Sequence, residues 1–330
     1  MTSSLQWGGR FNAPPEAALL QFGSSLQEDL VLAPFDVRCS NAHVLALRDG
    51  GVIAPDRAQE LLSALGSVAQ EISSGSFEAY ARDTQAEDIH GAIDTRVREL
   101  APVAGELLHA GRSRNDQVAT TLLLYCADRA ARGKTLSLQI ASHFAQRAEG
   151  ELEAGTLLAA TTHWQPAQPV LLAFWLAAAA EPFVRDARRF ARAAFDSKQS
   201  CPLGSGAVAG SSLPLKRASS AAALGFAAPS RNAMDAIGNR DAALDAAHAF
   251  VRSVLHASRI CEELVVWCTP AFAYARLDDA ASTGSSLMPQ KRNPDPLELV
   301  RATAADLTGR FAGALATTAG LALSYHRDLQ

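Results

Sequence analysis

The segment Gly284–Asp295 contains two adjacent serines, a lysine and an asparagine within one short stretch. Its glycine and its prolines interrupt any continuous helix, so we predict a loop. Asn293-Pro294 is typical of a helix N-cap followed by proline at the first helical position. The hydroxyls, the ammonium group and a helix N-terminus would then converge, a combination that can hold an anion. A polar surface loop with an ordinary helix cap explains the same residues.

Two other segments carry polar residues ahead of long helices. His163 lies in a turn bounded by prolines, before an apolar helix, where a lone histidine is more often structural than catalytic. Arg112 and Arg114 precede another helix, and Ser113 with Asp116 forms a start similar to a capping box. That start is a sufficient structural reason for Ser113 and Asp116.

The remaining motifs point to neither a nucleotide nor a metal. The glycine-rich stretch Cys201–Gly210 lacks the P-loop lysine and the strand–GxGxxG–helix context, so it is a weak nucleotide signal. The eight histidines show no HExxH or other ligand spacing, and we therefore expect no metal site.

The composition favours helix nearly everywhere. Alanine and leucine are abundant, aromatic residues make up 6%, and alternating β-branched segments are nearly absent. Ile237, Leu244, Val251 and Val265 lie on one stripe of a long helix. We predict helices over Asp29–Leu47, Asp56–Ile72, Asn115–Arg147, Gln168–Phe195, Asp235–Trp267 and Pro294–Ala319. The prediction is an all-α fold with a smaller N-terminal helical domain, residues 1–107, and a central bundle of long helices, residues 108–330.

Length and charge exclude several classes of protein. The chain has 330 residues, 48% of them hydrophobic and 19% charged, so it can bury a core and is not disordered as a whole. A net charge of −4 argues against nucleic-acid or anionic-membrane partners. No apolar stretch resembles a signal peptide, and the longest apolar run, Val170–Ala180, falls short of the roughly 20 residues that a membrane span needs. Five cysteines without a CxxC pair fit a reduced, cytoplasmic protein.

Taken together, the polar segments match a family. The loop Gly284–Pro294 resembles the signature loop of the aspartase/fumarase superfamily, and the chain as a whole resembles its argininosuccinate lyase branch. The other segments that carry the likeness are Trp7–Phe11, Glu87–His90, Arg112–Thr120, Thr162–Pro169 and Tyr325–Gln330. The resemblance implies a long-helix bundle that releases fumarate from argininosuccinate by reversible β-elimination, in arginine biosynthesis, without a metal or organic cofactor.

The resemblance also implies a role for each matching residue. Ser285 would be the base that removes a proton from carbon, and Lys291 and Asn293 would stabilise the doubly charged carboxylate that forms. His163 would be the acid side of the reaction, and Glu298 would fix its tautomer. The positions that match substrate-binding residues, or a histidine near the site, are Ser25, His90, Arg114, Asn115, Thr162, Asn293, Tyr325, Arg327 and Gln330. A homotetramer with active sites shared between subunits is implied as well.

Some positions depart from the family pattern. Arg327 stands where lysine is expected and His326 where asparagine is, and a planar guanidinium does not replace an ammonium in a tight carboxylate site. The chain also ends inside a motif that in the family leads into a last bundle helix and a C-terminal helical domain. Two alternatives therefore stay open: a non-catalytic structural homologue, and a related lyase with a different amine leaving group.

Overall fold

The structure is a computed structural model that describes residues 15–329. The segment Trp7–Phe11 and Gln330, both named above, lie outside the described residues. In chain order the α-helices are α1 (Ala17–Phe22), α2 (Leu26–Asp29), α3 (Ala33–Asp49), α4 (Pro55–Ser74), α5 (Ser76–Asp83), α6 (Ile89–Leu100), α7 (Pro102–Gly105), α8 (Arg114–Leu152), α9 (Leu172–Asp196), α10 (Arg217–Leu224), α11 (Ala233–Gly238), α12 (Asp241–Trp267) and α13 (Asp295–Thr318). The strands are β1 (Leu157–Thr162), β2 (Gln165–Leu171), β3 (Ser200–Cys201) and β4 (Ala228–Pro229).

The predicted all-α fold is confirmed, with two small sheets added to it. β1 and β2 form an antiparallel hairpin, and β3 and β4 form a parallel pair of two residues each. The chain divides into two compact units. Of the described residues, unit 1 comprises 15–126, 196–240 and 320–329, and unit 2 comprises 127–195 and 241–319. The domain boundary at residue 107 stays a prediction.

Unit 1 is built around α3, α4 and α6. Their apolar faces meet in a core in which Leu47, Leu61, Leu65, Ile89 and Ile93 are completely buried. Burying each of these side chains contributes about 1.5–3 kcal/mol of transfer free energy. This core holds the loops that carry the predicted binding residues of unit 1.

The long helices of unit 2 pack closely against one another. A Cβ atom added to Gly133 in α8 would lie 2.7 Å from the Phe190 ring in α9, so only glycine fits there without a shift. Phe190 in turn packs edge-on against Phe250 in α12, with ring centroids 4.7 Å apart. Arg301 of α13 donates to Glu262 of α12 at 2.6 Å. No described helix has both the length and the apolar character that crossing a membrane requires.

The helix predicted from Gln168 begins later than expected. Residues 165–171 form strand β2, and α9 starts at Leu172. The apolar run after the prolines reads equally well as strand or helix, because short apolar runs do not distinguish the two. Pro166 and Pro169 are tolerated because a two-stranded sheet consists only of edge strands.

Two other predicted helices are interrupted near their starts. A 3-10 turn, Leu30–Leu32, precedes α3, so that helix begins at Ala33 and not at Asp29. The helix predicted over Asp235–Trp267 is split between α11 and α12. A Cβ atom on Gly238 would lie 2.5 Å from the carbonyl oxygen of Ser324, so the break coincides with a close approach of two backbone segments.

Candidate active site

The signature loop, residues 284–294, is closed at its base by a short antiparallel bridge. The backbone N–H of Asn293 donates to the carbonyl of Thr283 at 2.8 Å, and the N–H of Thr283 donates back at 3.2 Å. The Asn293 amide also donates to the carbonyl of Gly284 at 3.3 Å. The N-cap of α13 is Pro294, which corrects the predicted cap at Asn293: the asparagine side chain holds the loop and does not cap the helix.

Ser285 lies inside this loop with its hydroxyl oxygen turned back to the chain. The backbone N–H groups of Leu287 and Met288 both donate to Ser285 Oγ, each at 3.2 Å. Two N–H donors stabilise negative charge on an oxygen, so this arrangement favours an alkoxide more than a free serine would. The neighbouring Ser286 is exposed.

Three other predicted residues line one cavity of unit 2. Lys291, Asn293 and Glu298 border a space of about 680 Å³, together with Tyr274 and Arg276. We name it the Lys291 cavity. Ser285 is not among its lining residues. The cavity therefore carries an ammonium group, an amide and a carboxylate, a set suited to binding a polar acid.

His163 lies at the tip of the β1–β2 hairpin. Thr162 pairs with Gln165, and the two residues between them, His163 and Trp164, have φ values of 55° and 59°. This is the geometry of a two-residue type I′ turn, which usually takes asparagine or glycine. Left-handed backbone at two bulky residues costs free energy and occurs preferentially at functional sites.

A second cavity of unit 2, of about 610 Å³, is bordered by the hairpin tip. Its lining residues include Thr161, His163 and Trp164 from the hairpin. Helices α9 and α12 contribute Trp175, Arg185, His256, Arg259, Glu262 and Glu263. We name it the His163 cavity.

Aromatic contacts connect the walls of the two cavities. Trp164 packs edge-on against Phe272 with ring centroids 6.4 Å apart, and Phe272 packs against Tyr274 at 5.6 Å. Trp164 borders the His163 cavity and Tyr274 the Lys291 cavity. A shift of the hairpin tip would therefore be felt at the wall of the Lys291 cavity.

In unit 1, the segment around Glu87 and Asp88 gathers several predicted binding residues. The backbone N–H of Ser25 donates to the Glu87 carbonyl at 2.9 Å, and Arg327 pairs with the Glu87 carboxylate. Arg114 Nε lies 3.0 Å from Asp88 Oδ2, while Asp88 Oδ1 caps α6. Ser25, Arg114 and Arg327 are thus held by two adjacent acidic residues.

His90 is the buried member of the predicted set, and Tyr325 is partly buried. His90 Nδ1 donates to Asp36 Oδ1 at 2.8 Å, and both side chains are buried. Burial alone would raise the pKa of Asp36, but His90, Arg112 and Gln117 outweigh it and hold that pKa below its usual value. Burial raises the pKa of Tyr325, although Arg327 and Arg240 lie near it.

Asn115 contacts the glycine-rich stretch that the sequence left unassigned. Its side-chain amide donates to the carbonyl of Ala207 at 3.1 Å. The next residue, Asp116, is completely buried and accepts N–H bonds from Gly204 and Gly206, both at 2.9 Å. The glycine-rich stretch is therefore folded around Asp116 and borders Asn115.

The structure thus brings the predicted residues into three groups. Two are in unit 2, at the Lys291 cavity and at the hairpin tip that carries Thr162 and His163; Ser285 lies in the signature loop beside the first. The third is in unit 1 and comprises Ser25, His90, Arg114, Asn115, Tyr325 and Arg327. Within residues 15–329, no cluster of three or more His, Cys, Asp or Glu side chains is arranged to hold a metal ion.

Comparison with known proteins decides the family. A family model described as lyase matches residues 9–309. An argininosuccinate lyase from Desulfovibrio desulfuricans is 41% identical over 330 residues, covering 100% of this chain and 70% of the relative. This chain belongs to the argininosuccinate lyase family. The predicted resemblance and the predicted enzyme class, a lyase, are confirmed.

Two further relatives show how much of a family member the chain spans. An argininosuccinate lyase from Acidothermus cellulolyticus is 44% identical over 98% of this chain and 65% of its own length. The crystal structure of EDDS lyase in complex with formate superposes with a TM-score of 0.79 at 25% identity, over 91% of this chain and 59% of that one. The chain thus spans about two thirds of the two argininosuccinate lyases and less of the EDDS lyase.

Sequence reasoning about this argininosuccinate lyase family member missed the acidic residues that hold the site. Asp29 accepts a hydrogen bond from Ser25 Oγ at 2.6 Å, and Asp88 and Asp116 hold Arg114 and the glycine-rich stretch. Asp116 was visible only as part of a local capping box, of which one half forms: Ser113 N–H donates to Asp116 Oδ1 at 3.0 Å, while Ser113 Oγ accepts from the N–H of Asn115 at 3.2 Å. The hydrogen bonds of Asp116 to Gly204 and Gly206, about ninety residues away, could not be predicted from the local sequence.

Proposed function

We propose that this lyase splits argininosuccinate reversibly into arginine and fumarate by β-elimination, in arginine biosynthesis. The difficulty of the reaction is a weakly acidic proton on carbon beside a carboxylate, whose removal produces a doubly negative group. Preorganised donors are the usual means of stabilising such charge. The single observation that carries the proposal is the signature loop, in which two backbone N–H groups donate to Ser285 Oγ while Lys291 and Asn293 border an adjoining cavity.

In the proposed mechanism Ser285 removes the proton from carbon. A serine hydroxyl is a poor base unless its alkoxide is stabilised, and the N–H groups of Leu287 and Met288 supply two donors for it. Lys291 and Asn293 hold the carboxylate on which charge accumulates. Their cation and amide favour the doubly charged state over the substrate, which is the condition for accelerating the chemical step.

His163 donates a proton to the departing nitrogen. Its place at the tip of a two-residue turn makes it accessible, and Thr162 beside it is exposed as well. Glu298 borders the Lys291 cavity and not the His163 cavity. We therefore propose that Glu298 contacts the His163 of a different subunit. Ser25, His90, Arg114, Asn115, Tyr325, Arg327 and Gln330 are proposed to bind substrate or to border its site.

We further propose a homotetramer in which subunits share active sites. Of the residues that the structure describes in α13, Ala304 alone is buried, while Leu299 and Leu315 are 66% and 45% exposed. Phe174 of α9 is 66% exposed. Apolar faces of this kind on long helices are suited to packing against copies of the same helices.

We also propose a cytoplasmic location. It is supported by the five cysteines, which are free thiols.

Ser285→Ala tests the function directly. Purified protein is incubated with argininosuccinate, and fumarate is followed by its ultraviolet absorbance. The variant should lose at least about a hundredfold in kcat and retain substrate binding, because only proton abstraction loses its group. Ser286→Ala is the matched control, since that neighbouring serine is exposed. An equal effect of both substitutions would remove Ser285 from its role.

Other outcomes separate the alternatives. Absence of fumarate from a confirmed tetramer would favour a structural protein, and turnover of only another succinyl-amine would favour a different leaving group. Shared sites are tested by mixing the inactive variants Ser285→Ala and His163→Asn. If the two residues act from different subunits, mixed tetramers recover part of the activity; if they act within one subunit, the mixture stays inactive.

A further inference from the structure

Asp186 and His256 form a buried acid–histidine pair in unit 2. Asp186 on α9 is completely buried, and His256 on α12 has a side chain only 10% exposed. His256 Nδ1 donates to Asp186 Oδ2 at 2.7 Å, and Arg189 donates to Asp186 Oδ1 at 2.8 Å. Both carboxylate oxygens are therefore occupied, and the imidazole ring is fixed in one orientation and one tautomer.

The second nitrogen of His256 is left available beside the proposed acid. His256 borders the His163 cavity, and within residues 15–329 its Nε2 forms no hydrogen bond. This nitrogen keeps some exposure to the cavity, so water or a ligand can supply its hydrogen bond. The cavity of about 610 Å³ has room for several waters between His256 and His163.

We infer that the His256–Asp186 pair returns a proton to His163 after each turnover. The inference rests on the proposed function, in which His163 gives its proton to the departing nitrogen as the C–N bond breaks. Neutral His163 then takes a proton from the His256 imidazolium through cavity water, and His256 recovers it from solvent. Asp186 stabilises the imidazolium while His256 is charged. His256 and Asp186 act through His163, as positioning residues and not as catalytic ones.

The charged groups that face His256 come from α9 and α12. The same cavity is bordered by two cations, Arg185 and Arg259, and by the carboxylates of Glu262 and Glu263. The two glutamates are engaged elsewhere, Glu262 with Arg301 and Glu263 with Trp175 Nε1. Arg185 lies 3.7 Å from Glu181, and Arg189 is engaged by Asp186. Asp186 is thus the acid in direct contact with the ring.

A single-turnover experiment distinguishes proton return from a structural role. With enzyme in excess, His163 starts protonated and needs no proton back, so His256→Ala should form fumarate at the wild-type rate. With substrate in excess, the same variant should slow by about tenfold or more, because proton transfer by a side chain contributes ~10²–10⁴-fold. Added imidazole, which fits the space vacated by the side chain, should restore the steady-state rate. A structural defect would slow both regimes and would not respond to imidazole.

Asp186→Asn provides a second variant, since it retains an acceptor for His256 but removes the negative charge. It should shift the pH profile of the steady-state rate and leave the single turnover unchanged. Equal rates for wild type, His256→Ala and Asp186→Asn in the steady state would overturn the inference while leaving the proposed function intact. Absence of fumarate from the wild-type enzyme would instead overturn the proposed function.

Discussion

The carboxylate oxygen Oδ2 of Asp116 lies 2.9 Å from the backbone nitrogen of Gly206, ninety residues further along the chain. The same oxygen accepts an N–H from Gly204, and Oδ1 accepts one from Ser113. Gly204 and Gly206 have backbone φ values of 88° and 61°, which residues other than glycine rarely adopt. One buried acid therefore fixes both the start of α8 and the fold of the glycine-rich stretch.

Asp116→Asn should destabilise unit 1 and weaken substrate binding. An asparagine amide offers one acceptor oxygen in place of two, so one or more buried N–H groups lose their partner, at a cost of about 1–3 kcal/mol. Asn115, which is held by Ala207 of the same stretch, would lose its fixed position, and KM should rise more than kcat falls. Urea unfolding and steady-state kinetics measure the two effects.

Asp128→Asn is the control for Asp116→Asn, because Asp128 lies on the same helix and is 45% exposed. That substitution should change the free energy of unfolding by less than about 0.5 kcal/mol. If Asp116→Asn proved equally mild, the carboxylate would not be what holds the glycine-rich stretch.

The two carboxylate oxygens of Asp116 show what a sequence can and cannot predict. Ser113 and Asp116 stand three residues apart, and their capping box was predicted from that spacing. The bonds to Gly204 and Gly206 depend on the tertiary fold, which no local spacing records. The β1–β2 hairpin was missed for a related reason: its apolar residues also fit a helix, and the turn at His163 and Trp164 lacks the glycine or asparagine that would have indicated it.

Long helices were predicted well because their periodic stripes extend over many residues. α8, α12 and α13 were predicted as helices, and α13 was placed within one residue at each end. Polar residues at loops gave the candidate site through resemblance. These residues fall into three groups: those held by Glu87 and Asp88, those at the Lys291 cavity and those at the His163 cavity. That grouping follows from tertiary packing, which composition does not encode.

His43 should make the free energy of unfolding depend on pH in the acid range. The side chain is buried, donates from Nε2 to the Ala110 carbonyl at 2.9 Å, and burial lowers its pKa to about 3. Above its usual pKa of 6.5 both the folded and the unfolded state are neutral, and His43 adds no dependence. Below pH 6.5 only the unfolded state gains a proton, so unfolding becomes easier by up to about 1.4 kcal/mol per pH unit.

His43→Gln isolates this contribution, because the glutamine amide can reach the Ala110 carbonyl but does not titrate. Urea unfolding between about pH 6 and pH 4 should show a shallower pH dependence for the variant than for the wild type. Identical slopes in that range would show that His43 takes up its proton in the folded protein as readily as in the unfolded one.

Gly133 and Gly150 lie on the same helix and should respond oppositely to alanine. A Cβ atom at position 133 would lie 2.7 Å from the Phe190 ring, whereas nothing lies within 4 Å of one at position 150. Gly133→Ala should therefore destabilise by about 1–3 kcal/mol through overpacking. Gly150→Ala should stabilise by roughly 0.4–1 kcal/mol by reducing the entropy of the unfolded chain.

Thermal or urea unfolding of the two glycine variants provides an internal comparison, since both make the same chemical change in α8. Phe190→Leu in the Gly133→Ala background should recover part of the lost stability, because the ring is the group that the new methyl meets. A Gly133→Ala variant as stable as Gly150→Ala would mean that α8 and α9 are not packed this closely.

Lys291→Met should lower kcat by about a hundredfold to a thousandfold, the range seen when a donor to developing negative charge is removed. Lys291 borders its cavity beside Asn293 and Glu298, so loss of the ammonium group leaves a carboxylate near the place where negative charge accumulates. KM should change less than kcat, because the added charge exists only in the transition state. Lys291→Arg should not restore the rate, since a planar guanidinium does not present its charge as a compact ammonium does.

Lys134→Met on the exposed face of α8 is the control for Lys291→Met, and fumarate absorbance with argininosuccinate is the measurement. A Lys291→Met enzyme within about threefold of wild type in kcat would place the stabilising charge on another residue, with Arg276 of the same cavity as the next to substitute.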